Sequence, residues 1–443
     1  MPTNYSDVPL PTRGGICLAF SRSNELTISG KQTNAGTMTA QISAANNRFA
    51  RNGLMLAGAL LVLAPWTTVA QRPIEDEVVW PLPPETPRIR YSAVLYSDRD
   101  LGKKKSLFAR VSGALAGTKD NAIVVQRPHD VYVDHSGRIF LTNGQASGFW
   151  VFDPNQKEAR LVVPEGVAAL GKPMGIAGDG DGLIYIADSR HRRVVALDAD
   201  GNYAQAYGGP SEMLNPVDVA TSPFGDRVYV VDSHLHQLLV YTRDGALVKR
   251  IGRDVGDLAR KAASRASTAH RLTSIDDSTD IPGHEGWDRE PSDMAENRGI
   301  LPSEFRYPAF VAVAPDGTVY VSDGLNFRVQ AFDPEGEFLF EFGGLGNGPG
   351  SFARPKGVSV DNEGHVYVVD AAFNNVQIFD AQGQLLLAFG GHGNGAGQLW
   401  LPVGISIDTE NRIFVADRVN NRIQIYEYLL PSAPITTVKR GSP

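Results

Sequence analysis

Four histidines and a set of aspartates stand in this chain where they could do chemistry together. His129 and Asp130 are adjacent in RPHDVYVD; His191 lies just beyond the run IYIAD, and His234 and His236 just beyond VYVVD. Neutral imidazoles from separate segments can bind zinc or another divalent ion, which needs three or four convergent N or O ligands. A second constellation is the aspartate that ends each short apolar run: Asp188, Asp232, Asp323, Asp370 and Asp417. Its functional reading is a ring of carboxylates around a cation. The structural reading is favoured, because a residue that recurs in every copy of a unit serves what each copy needs to fold. It would satisfy turn amides and pair with the residue five positions on, Asp323 with Arg328 and Asp417 with Arg422. No G-x-S-x-G elbow, P-loop, H-E-x-x-H or EF-hand loop is present. GGLGNGPG and GGHGNGAG lack the Lys-Ser/Thr and the helix of a phosphate loop, and DGDG at 179–182 reads as a hairpin turn.

The elements that position these residues follow from an internal repeat. The runs ending at Asp188, Asp232, Asp323, Asp370 and Asp417, with IFLTN ending at Asn143 as an altered first copy, are spaced by 45, 44, 91, 47 and 47 residues. Before each run sits a Pro-led strand start, at Pro128, Pro173, Pro216, Pro308, Pro355 and Pro402; after it come a third apolar run and a fourth ending in Phe-Gly-Gly, as in EFLFEFGG. Four short strands per unit of ~40 to 45 residues, parted by Asp, Gly and Asn turns, define a propeller blade. The expected fold is all-β, a six-bladed β-propeller of four-stranded antiparallel blades. The last copy lacks a fourth strand, and RIRYSAVLYS at 88–97 is placed to supply it and close the ring. The 91-residue spacing marks a polar insertion between blades 3 and 4, residues 252–303, with seven basic and ten acidic residues and no alternation; it reads as a surface loop rather than a seventh blade.

In such blades the first-strand starts, the second-to-third loops and the fourth-strand ends share one face. That face would hold a ligand, and the insertion could cover it as a lid. Strand starts bring His129, Asp130, Met174, Asp218, Phe310 and Lys356 near its centre. The loops add Arg190, His191, His234, His236, Phe373 and Arg418 around them.

The units resemble the NHL repeat, by Pro-x-Gly-Val openings, Val-Tyr-Val-x-Asp second strands, NNRIQI at 420–425 and the linker FGGLGNGPGSFARP at 342–355. The resemblance spans about residues 88–428 and implies a six-bladed NHL propeller. A more distant similarity is to peptidyl-hydroxyglycine amidating lyases, NHL-like propellers whose zinc is held by His at Pro-His strand starts. It implies a metal ligand at His129, in Pro-His-Asp. The corresponding positions of the other blades hold Met174, Val217, Ala309, Lys356 and Val403 in place of further His ligands.

Composition bounds the rest. A chain with 42% hydrophobic and 21% charged residues is globular; a net charge of -7 disfavours a nucleic-acid partner, and one cysteine excludes a disulfide scaffold. Residues 1–50 read as a disordered leader and 51–70 as a signal peptide or signal-anchor. There Arg48 and Arg51 precede LMLAGALLVLA at 54–64, with Thr68 and Ala70 as the small residues of a cleavage site. Cleavage after Ala70 would remove five basic and two acidic residues, taking the charge from -7 to -10, together with Cys17. Residues 71–87 read as a Pro-rich lead-in and 429–443 as a tail. The expected protein is a monomeric periplasmic or secreted binding or scaffold module for a protein or small ligand, touching membrane only through an uncleaved 54–70 anchor. The alternative is a metal-dependent enzyme of amidating-lyase or lactone-hydrolase type, with zinc or calcium at the central pocket.

Overall fold

A computed structural model of the protein describes residues 78–82, 84–102, 122–253 and 301–429. The leader, the 54–70 segment and almost all of the 252–303 insertion, with the lid reading attached to it, lie outside the described residues, as do the last fourteen residues of the tail. Among the described residues no helix is long and apolar enough to cross a membrane.

Six sheets form the ring expected from the repeat. Blades 1 to 5 each contain four antiparallel strands in chain order, with inner strands at Asp130–Val133, Pro173–Gly178, Pro216–Thr221, Pro308–Val313 and Pro355–Val360. Blade 6 takes its inner three strands, Pro402–Ile407, Arg412–Asp417 and Arg422–Tyr428, from the C-terminal end, and its fourth, Ile89–Leu95, from the N-terminal end. The register pairs Ile89 with Tyr428 and Leu95 with Ile423, closing the circle as 88–97 suggests.

The second and third strands show little alternation because each blade is covered on both faces by its neighbours. VYVSD at Val319–Asp323 and RVQAF at Arg328–Phe332 are buried throughout. Six apolar clusters result, one at each junction; that between blades 6 and 1 joins Leu95, Phe414 and Ile423 to Val131, Ile139 and Leu141. Burial of such faces is the main driving force for closure.

The 71–87 lead-in contains an element the sequence did not disclose. Val79–Trp80 pairs antiparallel with the closing strand as a fifth strand of blade 6. The Trp80 indole packs on Phe389 and Tyr426, with ring centroids 5.9 Å away in each case. It lies over Gly397, where a Cβ would meet the indole and Val78.

Candidate ligand-binding site

The aspartates that end the second strands are fully buried, and their oxygens are spent on the backbone. Asp232 accepts from the amides of Leu214, Asn215, His234 and Leu235, and Asp370 from those of Ala353, Arg354, Ala372 and Phe373. Asp323 and Asp417 each receive a guanidinium, from Arg328 Nε at 3.1 Å and Arg422 Nε at 2.7 Å. These carboxylates tie each loop to the segment leading into its own blade. They do not form a cation ring.

The two residues after each strand-start Pro build two layers around the central channel. The first of them in blades 1 to 5, His129, Met174, Val217, Ala309 and Lys356, line a vestibule of about 220 Å³, together with Tyr307, Phe310, Leu325 and Arg354. The second of them form the ring beneath: Asp130, Gly175, Asp218, Phe310, Gly357 and Gly404. Phe310 and His129 come from opposite sides of the ring, and their rings stack with centroids 5.7 Å apart and planes at 25°. Below this pair the six inner strands enclose a second cavity of about 210 Å³, lined in part by Asp130, Asp218, Phe310, Ser359 and Ser406.

Asp130 and Asp218 are buried and act as ties between blades. Asp130 Oδ2 accepts from Ile176 N of blade 2 at 2.9 Å, and Asp218 Oδ2 from Val311 N of blade 4 at 2.8 Å. Burial pushes the Asp130 carboxyl up to about 7 and holds Asp218 well above the ordinary carboxylate range, where the charge of Asp130 raises it further. Glycine is required beside them. A Cβ on Gly404 would stand 2.7 Å from Asp130 Cα and 2.9 Å from the His129 carbonyl oxygen, both backbone atoms with little room to move. Gly404→Ala should therefore lower stability by about 1–3 kcal/mol through overpacking. Urea titration checks this, with Gly180→Ala as the control, since a Cβ there meets nothing within 4 Å.

His129 is buried, and its imidazole is held well below its usual pKa, first by burial and then by the charges of Arg418, Lys356 and Lys172. The charges of three cations thus act on the imidazole, and among the described residues no group of three or more His, Cys, Asp or Glu is placed to hold a metal. His270 and His284 of the insertion lie outside them.

The other expected residues are on the same face but are not brought together. Arg418 is outside the vestibule lining, and its charge acts on His129. His191 Nδ1 hydrogen-bonds the Asp188 carboxylate, which accepts, at 2.7 Å, beside Arg190. His236 Nδ1 accepts from Tyr307 N at 2.9 Å, and His234 lies at the edge of the Tyr307 ring. Phe373 is half-buried on the loop of blade 5, outside the vestibule lining. Tyr307 and Arg354 were missed. Each immediately precedes a strand-start Pro, so the residue before that Pro was the available signal.

With the ring and its vestibule defined, the protein is a six-bladed β-propeller of four-stranded blades. Residues 305–332, 352–379 and 399–426, in blades 4 to 6, match the NHL repeat, so the chain carries NHL repeats on that propeller. A sequence search of curated proteins finds no match. Similar solved structures include virginiamycin B lyase from Staphylococcus aureus, at 15% identity over 68% of this chain and 95% of that chain, with a TM-score of 0.43. A gluconolactonase from Xanthomonas campestris matches at 14% identity over 76% and 98%, TM-score 0.45. A chain of a nidogen/laminin complex matches at 16% identity over 65% and 86%, TM-score 0.43. At these identities the likeness is one of fold, which many functions share.

Proposed function

We propose that the protein is a binding module whose ligand, a small molecule or a protein segment, docks in the vestibule at the channel mouth. One observation carries this. The repeat fixes what each blade needs to fold, yet the first position after each Pro differs in blades 1 to 5, and these five side chains line one cavity. Variation at a point where the frame is constant is how a rigid disc acquires specificity. The run at 54–64, with Thr68 and Ala70 beyond it, supports export, so that the ligand is met in the periplasm or outside the cell.

Ligand-observed NMR of a fragment library against the full chain tests the reading. Val217→Trp, which fills the vestibule, should abolish binding of the hits while changing the melting temperature by less than about 2 °C. Val248→Trp, at an exposed outer-strand position, should leave the hits bound. Hits indifferent to Val217→Trp would place binding elsewhere and overturn the proposal.

A further inference from the structure

We infer that Asp188 and His191 of blade 2 form a proton-transfer dyad that activates water against an uncharged carboxylic ester, an activity that goes beyond the binding-module reading and stands without it. His191 Nδ1 lies 2.7 Å from Asp188 Oδ2; the carboxylate is fully buried and the imidazole side chain is 45% exposed. Against a carboxylate, which accepts, Nδ1 carries the ring proton, and Nε2 keeps its lone pair. Among the described residues no hydrogen bond is made to Nε2. A half-exposed imidazole anchored through its other nitrogen to a buried carboxylate is the arrangement of a general base: the carboxylate orients the ring and stabilises its charged form.

Comparison along the repeat separates the dyad from an ordinary turn contact. Three residues after the aspartate, blades 4 and 6 hold Asn326 and Asn420, whose amides donate to Asp323 and Asp417 at 2.7 and 2.8 Å. Blades 3 and 5 hold Leu235 and Phe373 there, so a blade forms its four strands without a donor at this place. Blade 2 departs from the pattern at two further positions. Two residues before the strand-start Pro, the other blades carry Gln126, Leu214, Arg306, Ala353 and Trp400, whereas blade 2 carries Gly171. A Cβ there would stand 3.0 Å from His191 Cε1 and 2.8 Å from Arg190 Cβ, so the missing side chain leaves the space in which the ring lies. Five residues after the aspartate, Arg328 and Arg422 donate Nε to Asp323 and Asp417 at 3.1 and 2.7 Å. The corresponding Arg193 Nε is buried with no hydrogen-bond partner, while Asp188 Oδ2 is bonded to Gly171 N and His191 Nδ1. A blade that leaves a buried donor unpaired while holding an imidazole on its carboxylate breaks a local rule in the way functional positions do. On an exposed nitrogen the available proton donor is water. Nε2 takes a proton from water as its oxygen bonds to the ester carbonyl carbon; the tetrahedral intermediate then breaks its bond to the alcohol oxygen, which recovers the proton from Nε2, leaving acid and alcohol. An ester with a good leaving group needs only such a base, whereas phosphoryl transfer rests on positioned cations or a metal.

The test is hydrolysis of p-nitrophenyl acetate, whose small body demands no deep pocket, by the full chain. The unsubstituted protein should show a kcat/KM at least about tenfold above that of His191→Asn, a modest share of what a positioned base contributes. Asparagine is the residue blades 4 and 6 use at this place, so the variant should keep its melting temperature within about 2 °C. His135→Asn, at another exposed histidine, should retain the full rate. A readout separate from activity is the imidazole nitrogen NMR spectrum, in which neutral His191 should carry its proton on Nδ1. Should His191→Asn fold poorly, diethyl pyrocarbonate decides on the unsubstituted chain: activity should fall in step with modification of His191, followed by mass spectrometry. Hydrolysis no faster than in a folded His191→Asn, activity that outlasts modification of His191, or a proton found on Nε2 each overturns the dyad. None of these outcomes bears on the vestibule, which the fragment screen with Val217→Trp decides separately.

Discussion

Arg422→Met should cost about 3–5 kcal/mol of stability, the loss typical of a buried ion pair that loses one partner. The Arg422 guanidinium is nearly inaccessible, and every nitrogen donates: Nε to Asp417 at 2.7 Å, Nη1 to Tyr96 Oη and Asn394 O, Nη2 to Gly395 O and Gln398 O. Tyr96 follows the N-terminal closing strand, 394–398 belong to the linker from blade 5, and Asp417 ends the second strand of blade 6. One side chain therefore joins the three segments that must meet for the ring to close. Methionine fills similar volume but leaves the buried Asp417 without its guanidinium and takes the Arg422 donors from Asn394 O and Gly395 O, while Gln398 O keeps only that of Gln424. Lysine should rescue little, because one ammonium cannot span this fork. The half-exposed pair Arg90–Glu427, which also bridges the closure, gives the contrast: Arg90→Ala should cost less than about 1 kcal/mol. Urea titration of both variants, with Asp417→Asn/Arg422→Met as the double variant recovering part of the loss, checks the prediction. A cost for Arg422→Met no greater than that for Arg90→Ala would show that the buried fork does not hold the closure.

What the sequence disclosed depended on whether a residue's role is set within its own blade. The Pro starts, the aspartate-ended runs and the arginines five residues on are blade-internal requirements that recur at fixed spacing, so the six blades and the Asp323–Arg328 and Asp417–Arg422 pairs could be read directly. The fifth strand could not. Val79–Trp80 is two residues long beside Pro81, and what holds it is an indole lying over Gly397, more than three hundred residues away. The stacked His129–Phe310 pair shows the same limit. The resemblance to amidating lyases marks His129, in Pro-His-Asp, as a metal ligand, whereas what surrounds it comes from elsewhere in the chain: Phe310 from the opposite side of the ring, and the charges of Lys172, Lys356 and Arg418 from three other blades. Residues lining the vestibule from the position before each Pro were equally hidden, since Tyr307 and Arg354 share no residue type, only a place in the unit.

The channel carboxylates should make the propeller less stable as pH rises from about 4 to above 7. In the unfolded chain both ionise near 3.8, whereas in the fold burial keeps Asp130 protonated to about 7 and holds Asp218 well above the ordinary carboxylate range. The folded state thus binds protons that the unfolded state has released, and the stability they contribute is complete below about 4 and lost as pH passes through the folded values. Asp130→Asn removes one of these titrations and retains a carbonyl oxygen to accept from Ile176 N. It also removes the charge that raises Asp218, so the second titration should move down as well. Asp134 and Glu427, held low by hydrogen bonds and by Arg138 and Arg90, act in the opposite sense, with stability lost on acidification. They are common to both proteins and cancel in the difference. Melting temperatures from pH 5 to 8 should therefore fall more steeply in the unsubstituted chain than in Asp130→Asn, the two curves diverging by the equivalent of a few kcal/mol. Because Asp130 bonds to blade 2 and Asp218 to blade 4, the destabilisation should start at the inner strands. Amide exchange at Ile176 and Val311 should accelerate with pH beyond the intrinsic base catalysis seen at Val368 and Val415, which are buried in blades 5 and 6. Parallel pH curves for the two proteins would mean that the carboxylates ionise in the fold without strain, and that the inner ring is held by its strands alone.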